Sequence, residues 1–220
     1  MRRQSKLTGR DLMLAAIVLV AWSGLGGCAS STQLTDVWAE PGYASGTPAN
    51  VLVTALRKDP VRRRLWEDAF VAALAQRGVK GTSSYALWPD APPDTQQVAA
   101  AVNQGRYDGV LTLVRLEDRY VTTTTPGQVH REGVTYVDDW GRAFTRYRDF
   151  QEPAQTTTET VLDFQSDLWR TSDDGGRLVW SGKVHVYESA SGNVVRDAVE
   201  KGIMPGLTKS GIVPQAGAHR

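Results

Sequence analysis

Two short apolar runs bracket a segment that opens on Asp59-Pro60 and closes on Gly78, and this arrangement restricts the fold more than any other feature of the chain. Residues 51–56 are apolar almost throughout, as suits a strand buried on both faces. Asp59 supplies a side-chain acceptor for the N-cap, and Pro60 presets the backbone of the first helical position. From 60 to 77, Leu65, Ala69, Ala72 and Ala73 recur at helical spacing, with Trp66, Phe70 and Leu74 beside them, and Gly78 stops the helix. A second strand, residues 79–87, ends at Pro89. A strand-helix-strand unit of this length is a crossover, so its two strands run parallel.

Asp94 or Thr95 begins a second helix through Gln104, which carries Val98, Ala101 and Val102 and is stopped by Gly105. A third strand starts at Gly109 and turns polar and β-branched toward Thr125. Residues 156–171 then alternate. Leu162, Phe164 and Leu168 point one way, and Glu159, Asp163, Gln165 and Asp167 the other. Ser172-Asp173-Asp174-Gly175-Gly176 reads as a hairpin loop into residues 177–189, where Leu178, Trp180, Val184 and Val186 share a face. Setting Leu168 opposite Trp180 makes Asp163 face His185, Gln165 face Lys183 and Asp167 face Ser181. Val195, Val199, Ile203 and Leu207 step by four along a last helix, bent or broken near Pro205. The expected fold is α/β with a single mixed sheet in the order β-α-β-α-β-β-β-α: a parallel start, an antiparallel hairpin finish and the last helix packed on the sheet. The folded domain spans 49–213, and 214–220 is a loose tail.

Charge and cysteine content exclude several functions. The 25 Lys and Arg residues nearly balance 24 Asp and Glu, so there is no electrostatic footprint for nucleic acid. One cysteine leaves no disulfide framework and no cysteine-based zinc site. With 41% hydrophobic and 22% charged residues, the chain is too apolar for wholesale disorder.

That one cysteine stands at a telling place. Arg2, Arg3, Lys6 and Arg10 precede an apolar run over 12–22, which at 11 residues is too short to span a bilayer and has the length of a signal-peptide core. Leu25-Gly26-Gly27-Cys28 then looks like a bacterial lipobox. The resemblance implies cleavage between Gly27 and Cys28, acylation of the Cys28 thiol and, with Ala29 rather than Asp next, sorting to the outer membrane of a Gram-negative cell. Arg2-Arg3 leaves export by the twin-arginine route open beside the general one, although Ser5 stands where that motif has a bulky apolar residue. Residues 28–48, rich in Ser, Thr, Gly, Pro and Ala, read as the lipidated end and a flexible tether, unless Trp38 and Tyr43 dock on the body.

The lipobox combines with the strand-Asp-Pro-helix run over 52–79, Ser84-Tyr85, Tyr107-Asp108-Gly109-Val110-Leu111 and Leu178-Val179-Trp180-Ser181-Gly182. Together they resemble a large group of bacterial lipoproteins whose shared domain has no assigned function, over most of residues 36–213. The strand-helix order is also similar to the periplasmic domains of curli-secretion and penicillin-binding-protein-activator lipoproteins, at the level of fold only.

Chemistry is sparse. There is no Gly-x-Ser-x-Gly elbow, no phosphate-binding glycine loop and no His-Glu-x-x-His, and only His130, His185 and His219 exist, so no metal or cofactor is expected. The Asp163–His185 pair is the enzymatic candidate, on an exposed face that offers little desolvation. The cluster Arg62-Arg63-Arg64 reads as a solvated face needing an acidic partner, Glu67 or Asp68. Residues 126–153 lack clear secondary structure but are dense in rings and arginines, a composition typical of contact surfaces. Tyr136, Trp140, Phe144 and Tyr147 are its candidate partner-binding residues; the same rings could instead cap one edge of the core. The expectation is a non-catalytic, lipid-anchored envelope protein that binds another envelope component, a protein in particular. The alternatives are a periplasmic enzyme acting on cell-wall material and a carrier with an apolar cavity between sheet and last helix.

Overall fold

Asp59 opens the first helix as its place before Pro60 predicts. Its carboxylate accepts from the backbone N–H groups of Val61 (2.9 Å) and Arg62 (3.1 Å), two of the donors that a helix start leaves unpaired. This helix, α1, covers Pro60–Ala75, and the chain turns at Gly78 with φ 74°. The computed structural model describes residues 31–105, 107–172 and 175–217. Gly27 and Cys28, with the expected cleavage and acylation site, lie outside the described residues, as do Asp173 and Asp174 of the hairpin loop.

Nine strands and four short or medium helices follow from the described chain. The strands are β1 (Thr32–Ala39), β2 (Asn50–Ala55), β3 (Lys80–Ser83), β4 (Gly109–Arg115), β5 (Arg119–Thr125), β6 (Val129–Val137), β7 (Ala143–Gln151), β8 (Gln155–Ser172) and β9 (Gly175–Tyr187). Besides α1, the helices are α2 (Thr95–Asn103), α3 (Val194–Asp197) and α4 (Met204–Lys209). One sheet runs β1-β9-β8-β4-β2-β3, with β5 on the N-terminal part of β8. β2 is parallel to β3 and β4, while β4–β8, β8–β9 and β9–β1 are antiparallel, so the fold is the expected mixed α/β. The β8–β9 register also matches the alternation of the sequence: Leu168 opposes Trp180, Asp163 opposes His185, Gln165 opposes Lys183 and Asp167 opposes Ser181.

The main core lies between one sheet face and α1 with the C-terminal helices. Val51, Val53, Leu111, Leu113, Phe164, Leu168, Trp180 and Val184 meet Trp66, Phe70, Ile203 and Leu207, all buried. Each such side chain contributes roughly 1.5–3 kcal/mol of burial. On the other face α2 covers a smaller cluster around Leu52, Tyr107 and Val110. The buried stripe of α1 is Trp66, Phe70, Ala73 and Leu74, with Leu65 left exposed, because the bulky rings fill the sheet groove better than the alanine-rich face.

Three expectations need correction. The stretch read as a tether contains β1, an edge strand whose backbone pairs with β9 from Thr32 to Ala39; its polar composition hid it, since only Leu34 and the small Ala39 pack against the core from inside it. Tyr43 packs on the body too, its hydroxyl donating to the Gly46 carbonyl at 2.7 Å. The described part of the tail, 214–217, is likewise held: the Thr208 hydroxyl donates to the Pro214 carbonyl at 3.3 Å and the Gly217 N–H to the Gln76 carbonyl at 3.2 Å. Between α3 and α4 the helix widens into a π turn, Ala198–Ile203, in which the Met204 N–H bonds back to the Val199 carbonyl. Pro205 has no N–H to continue a regular ladder, and the wider turn absorbs that gap without a break.

The third correction concerns Arg63, which is buried rather than solvated. Its Nε donates to Glu67 Oε1 (3.0 Å), Nη2 to Ser84 Oγ (2.8 Å) and Nη1 to the Trp88 carbonyl (2.8 Å). Glu67, the expected partner, also accepts from the Ala55 N–H, the Ser84 hydroxyl and the Tyr85 N–H. Both charges are hydrogen-bonded on several sides, which is what makes their burial tolerable. Removing one partner strands the other, so Glu67→Ala is expected to cost about 3–5 kcal/mol. The double variant Arg63→Met/Glu67→Leu should lose much less, and urea denaturation of both proteins checks the contrast.

Candidate functional site

Threonines and β-branched residues dominate the stretch that leaves the body. β5 and the start of β8 pair from Arg119–Val161 to Thr125–Gln155, with hydroxyl contacts Thr122–Thr158 (3.2 Å) and Thr124–Thr156 (3.3 Å). Beyond them, residues 126–153 are not irregular: β6 and β7 form a two-stranded antiparallel ribbon, paired without a shift from Val129–Gln151 to Val137–Ala143. Every residue of β5, β6 and β7 is exposed. That exposure explains why β6 and β7 escape a sequence reading, since neither face is buried and no apolar-polar alternation is imposed.

Asp138 builds the turn at the tip. Its carboxylate accepts from the N–H groups of Trp140 (3.1 Å) and Arg142 (2.8 Å) and from Arg142 Nε (2.8 Å), and Gly141 takes the left-handed conformation at φ 76°. The hydrogen bond from the Arg142 backbone, chiefly, with those from its side chain and from Trp140, holds the Asp138 carboxyl below its ordinary value.

The four candidate contact residues are all exposed, but they do not converge. Tyr136 and Phe144 stack across the ribbon at 5.7 Å between ring centres, with the Arg146 guanidinium over both (5.9 and 5.6 Å). Trp140, 79% exposed, stands at the tip with Arg142 over its ring. Tyr147, 70% exposed, pairs with Gly133 and so lies on the opposite face from Tyr136. None of these rings caps the core. Cross-strand pairing adds Val134, Arg148 and Phe150 to the Tyr136 face. The signal for that set was the every-second-residue spacing of Phe144, Arg146, Arg148 and Phe150.

The Asp163–His185 pair forms in the expected register but is covered rather than open, with side chains only 8% and 15% exposed. His185 Nδ1 lies 2.6 Å from Asp163 Oδ1 and Nε2 lies 2.7 Å from Thr35 Oγ1, so with the proton on Nδ1 the imidazole accepts from the Thr35 hydroxyl. A hydroxyl, an imidazole and a carboxylate in line is the layout of nucleophilic catalysis. Arg119 works against that service. Its Nε donates to Asp163 Oδ2 at 2.6 Å and its Nη2 sits 3.0 Å from His185 Nδ1, so the carboxylate is already neutralised and an imidazolium would face a second cation. The geometry suits a clamp joining β1, β9, β8 and the root of the ribbon. Thr35 and Arg119 are distant in sequence from the pair, and nothing in the sequence pointed to them.

The space proposed for an apolar ligand is filled. A Cβ at Gly202 would lie 2.5 Å from Val184 Cγ2, and one at Gly206 would lie 2.6 Å from Leu34 Cδ2, so the C-terminal helices press directly on the sheet. A surface groove at their end is lined by polar groups among others, including Arg77, Thr208, Lys209 and Gln215. Among the described residues no three His, Cys, Asp or Glu side chains are grouped to hold a metal, and no helix is long and apolar enough to cross a membrane.

Fold and site thus define a mixed α/β domain carrying an exposed aromatic and arginine-rich ribbon. Compared with solved structures, the chain is similar to the PelC dodecamer from Paraburkholderia phytofirmans (14% identity, TM-score 0.41, covering 84% of this chain and 99% of that one). It is also similar to a PDZ domain protein from Parabacteroides distasonis (11% identity, TM-score 0.40), covering 93% of this chain and 41% of that one. No family model and no curated protein matches, so the resemblance to envelope lipoproteins rests on the sequence motifs alone.

The depressed Asp138 carboxyl gives a pH test of the ribbon tip. A lowered folded value means that the turn gains stability above the ordinary aspartate value of 3.8 and loses it as pH falls through the lower folded value. The backbone amide signals of Trp140 and Arg142 should therefore titrate together in NMR spectra with a midpoint below 3.8. A midpoint at or above that value would show that Asp138 does not hold the turn.

Proposed function

We propose that this protein is a lipid-anchored component of the bacterial cell envelope, non-catalytic, whose ribbon binds a protein partner in the periplasm. The observation that carries the reading is the ribbon itself: a paired segment with both faces in solvent, bearing three of the four exposed candidate rings on its strands and the fourth at its tip. An isolated two-stranded ribbon is marginal in water, and exposed rings beside an arginine, as Tyr136 and Phe144 stand beside Arg146, are the usual substance of a contact hot spot. Anchoring rests on the basic start, the short apolar run and Leu25-Gly26-Gly27-Cys28. Without residues 1–27 the chain carries 21 basic and 23 acidic residues, so attachment depends on acyl chains rather than on attraction to anionic lipid.

Two outcomes test this reading separately. Cys28→Ser should move the protein from the membrane pellet to the soluble fraction, and intact-mass measurement should show acyl chains on the native protein only. Replacing Tyr136, Trp140 and Phe144 together by Ala should weaken capture of the envelope partner, trapped by crosslinking in intact cells, by about tenfold or more. Because those rings are exposed, global stability should stay within about 0.5 kcal/mol for each substitution.

A further inference from the structure

The ribbon also carries information about the chemistry of what it binds. β7 sets Phe144, Arg146, Arg148 and Phe150 at every second position, so these four side chains stand in a row on one face. Other ribbon arginines have carboxylate partners: Arg131 with Asp149 and Arg142 with Asp138, each at 2.8 Å. Arg146 and Arg148 have none among the described residues, although Glu132 is the cross-strand neighbour of Arg148. Arg146 instead lies over Tyr136 and Phe144, a stacking that steadies the guanidinium plane while leaving its N–H edge uncommitted.

The backbone beside this row is open as well. β7 pairs with β6 alone, and its other edge is a nine-residue line of peptide groups with no proline and no register shift. Such an edge is a template for one more strand. We propose that the outer edge of β7 receives an extended acidic polypeptide, whose side chains run apolar, acidic, acidic, apolar at alternate positions. Its two carboxylates meet Arg146 and Arg148, and its apolar ends meet Phe144 and Phe150. This rests on the reading of the ribbon as a binding surface and adds the identity of the ligand. Antiparallel pairing of β7 with a second copy about Tyr147 would set each Arg146 opposite an Arg148, and like charges directly opposed are destabilising, whereas an acidic strand in that register meets both arginines with carboxylates.

The test uses the full chain in detergent micelles and two fluorescein-labelled peptides, TLTETDTLT and TLTKTKTLT. Fluorescence anisotropy should show binding of the acidic peptide and not of the basic one, weakening as salt rises. In the double variant Arg146→Glu/Arg148→Glu the acidic peptide should lose at least about tenfold in affinity and the basic peptide should gain. Carbon-13-labelled acidic peptide should show a β-strand amide band on binding. No binding of the acidic peptide, equal binding of both peptides, indifference to the charge reversal, or preference for polygalacturonate over the peptide would each overturn the proposal. None of these results would touch partner capture by Tyr136, Trp140 and Phe144, which stands or falls on its own measurement.

Discussion

The 18-residue strand β8 is the member on which the remainder depends. Its C-terminal part lies between β4 and β9 in the middle of the sheet, where Leu162, Phe164 and Leu168 turn into the core. Its N-terminal part has β5 for a neighbour and threonine for most of its side chains. One strand is therefore a core element at one end and an exposed support at the other. The change falls at Val161, where the apolar residues begin, and the hydrophobic effect has nothing to act on before it. The root of the ribbon is ordered by strand pairing, while the threonines that dominate this part of β8 offer little apolar surface to bury.

Buried polar groups do the joining that apolar packing leaves undone. Arg63 and Glu67 tie α1 to the end of β2 and to the turn at Ser84 and Tyr85, so the crossover helix is fixed in angle as well as in depth. Asp163, His185, Thr35 and Arg119 do the same at the opposite end of the sheet, where the first strand and the ribbon root meet. In both clusters each charge has an opposite charge or several hydrogen bonds, as burial in a low-dielectric interior requires. The sharing of one His–Asp pair among four strands also explains why it is shielded from solvent.

Legibility in the sequence followed burial. The βαβ start, the capping residues Asp59 and Asp94, the β8–β9 register and the last helix could all be read, because each has one face against the core and so imposes a period on its residues. β1 could not, since an edge strand whose apolar contacts with the core are Leu34 and the small Ala39 looks like a polar linker. The β6–β7 ribbon could not either, because strands wet on both faces carry no alternation of polarity. Of the site, the rings and arginines were visible as composition; their division between two faces and the tip needed the pairing Tyr136–Phe144 and Gly133–Tyr147. The burial of Arg63 depended on Ser84 and Trp88, more than twenty residues away, which no local pattern can supply.

The unbroken pairing of β6 with β7 has a cost outside binding. Nine-residue strands without proline or bulge are the raw material of fibrils, and these carry Val, Tyr and Phe in quantity. What discourages stacking is the scatter of Arg131, Glu132, Arg146, Arg148 and Asp149 among them, which would crowd like charges in any in-register pile of identical chains. These residues thus act as gatekeepers, and neutralising them trades solubility for stickiness.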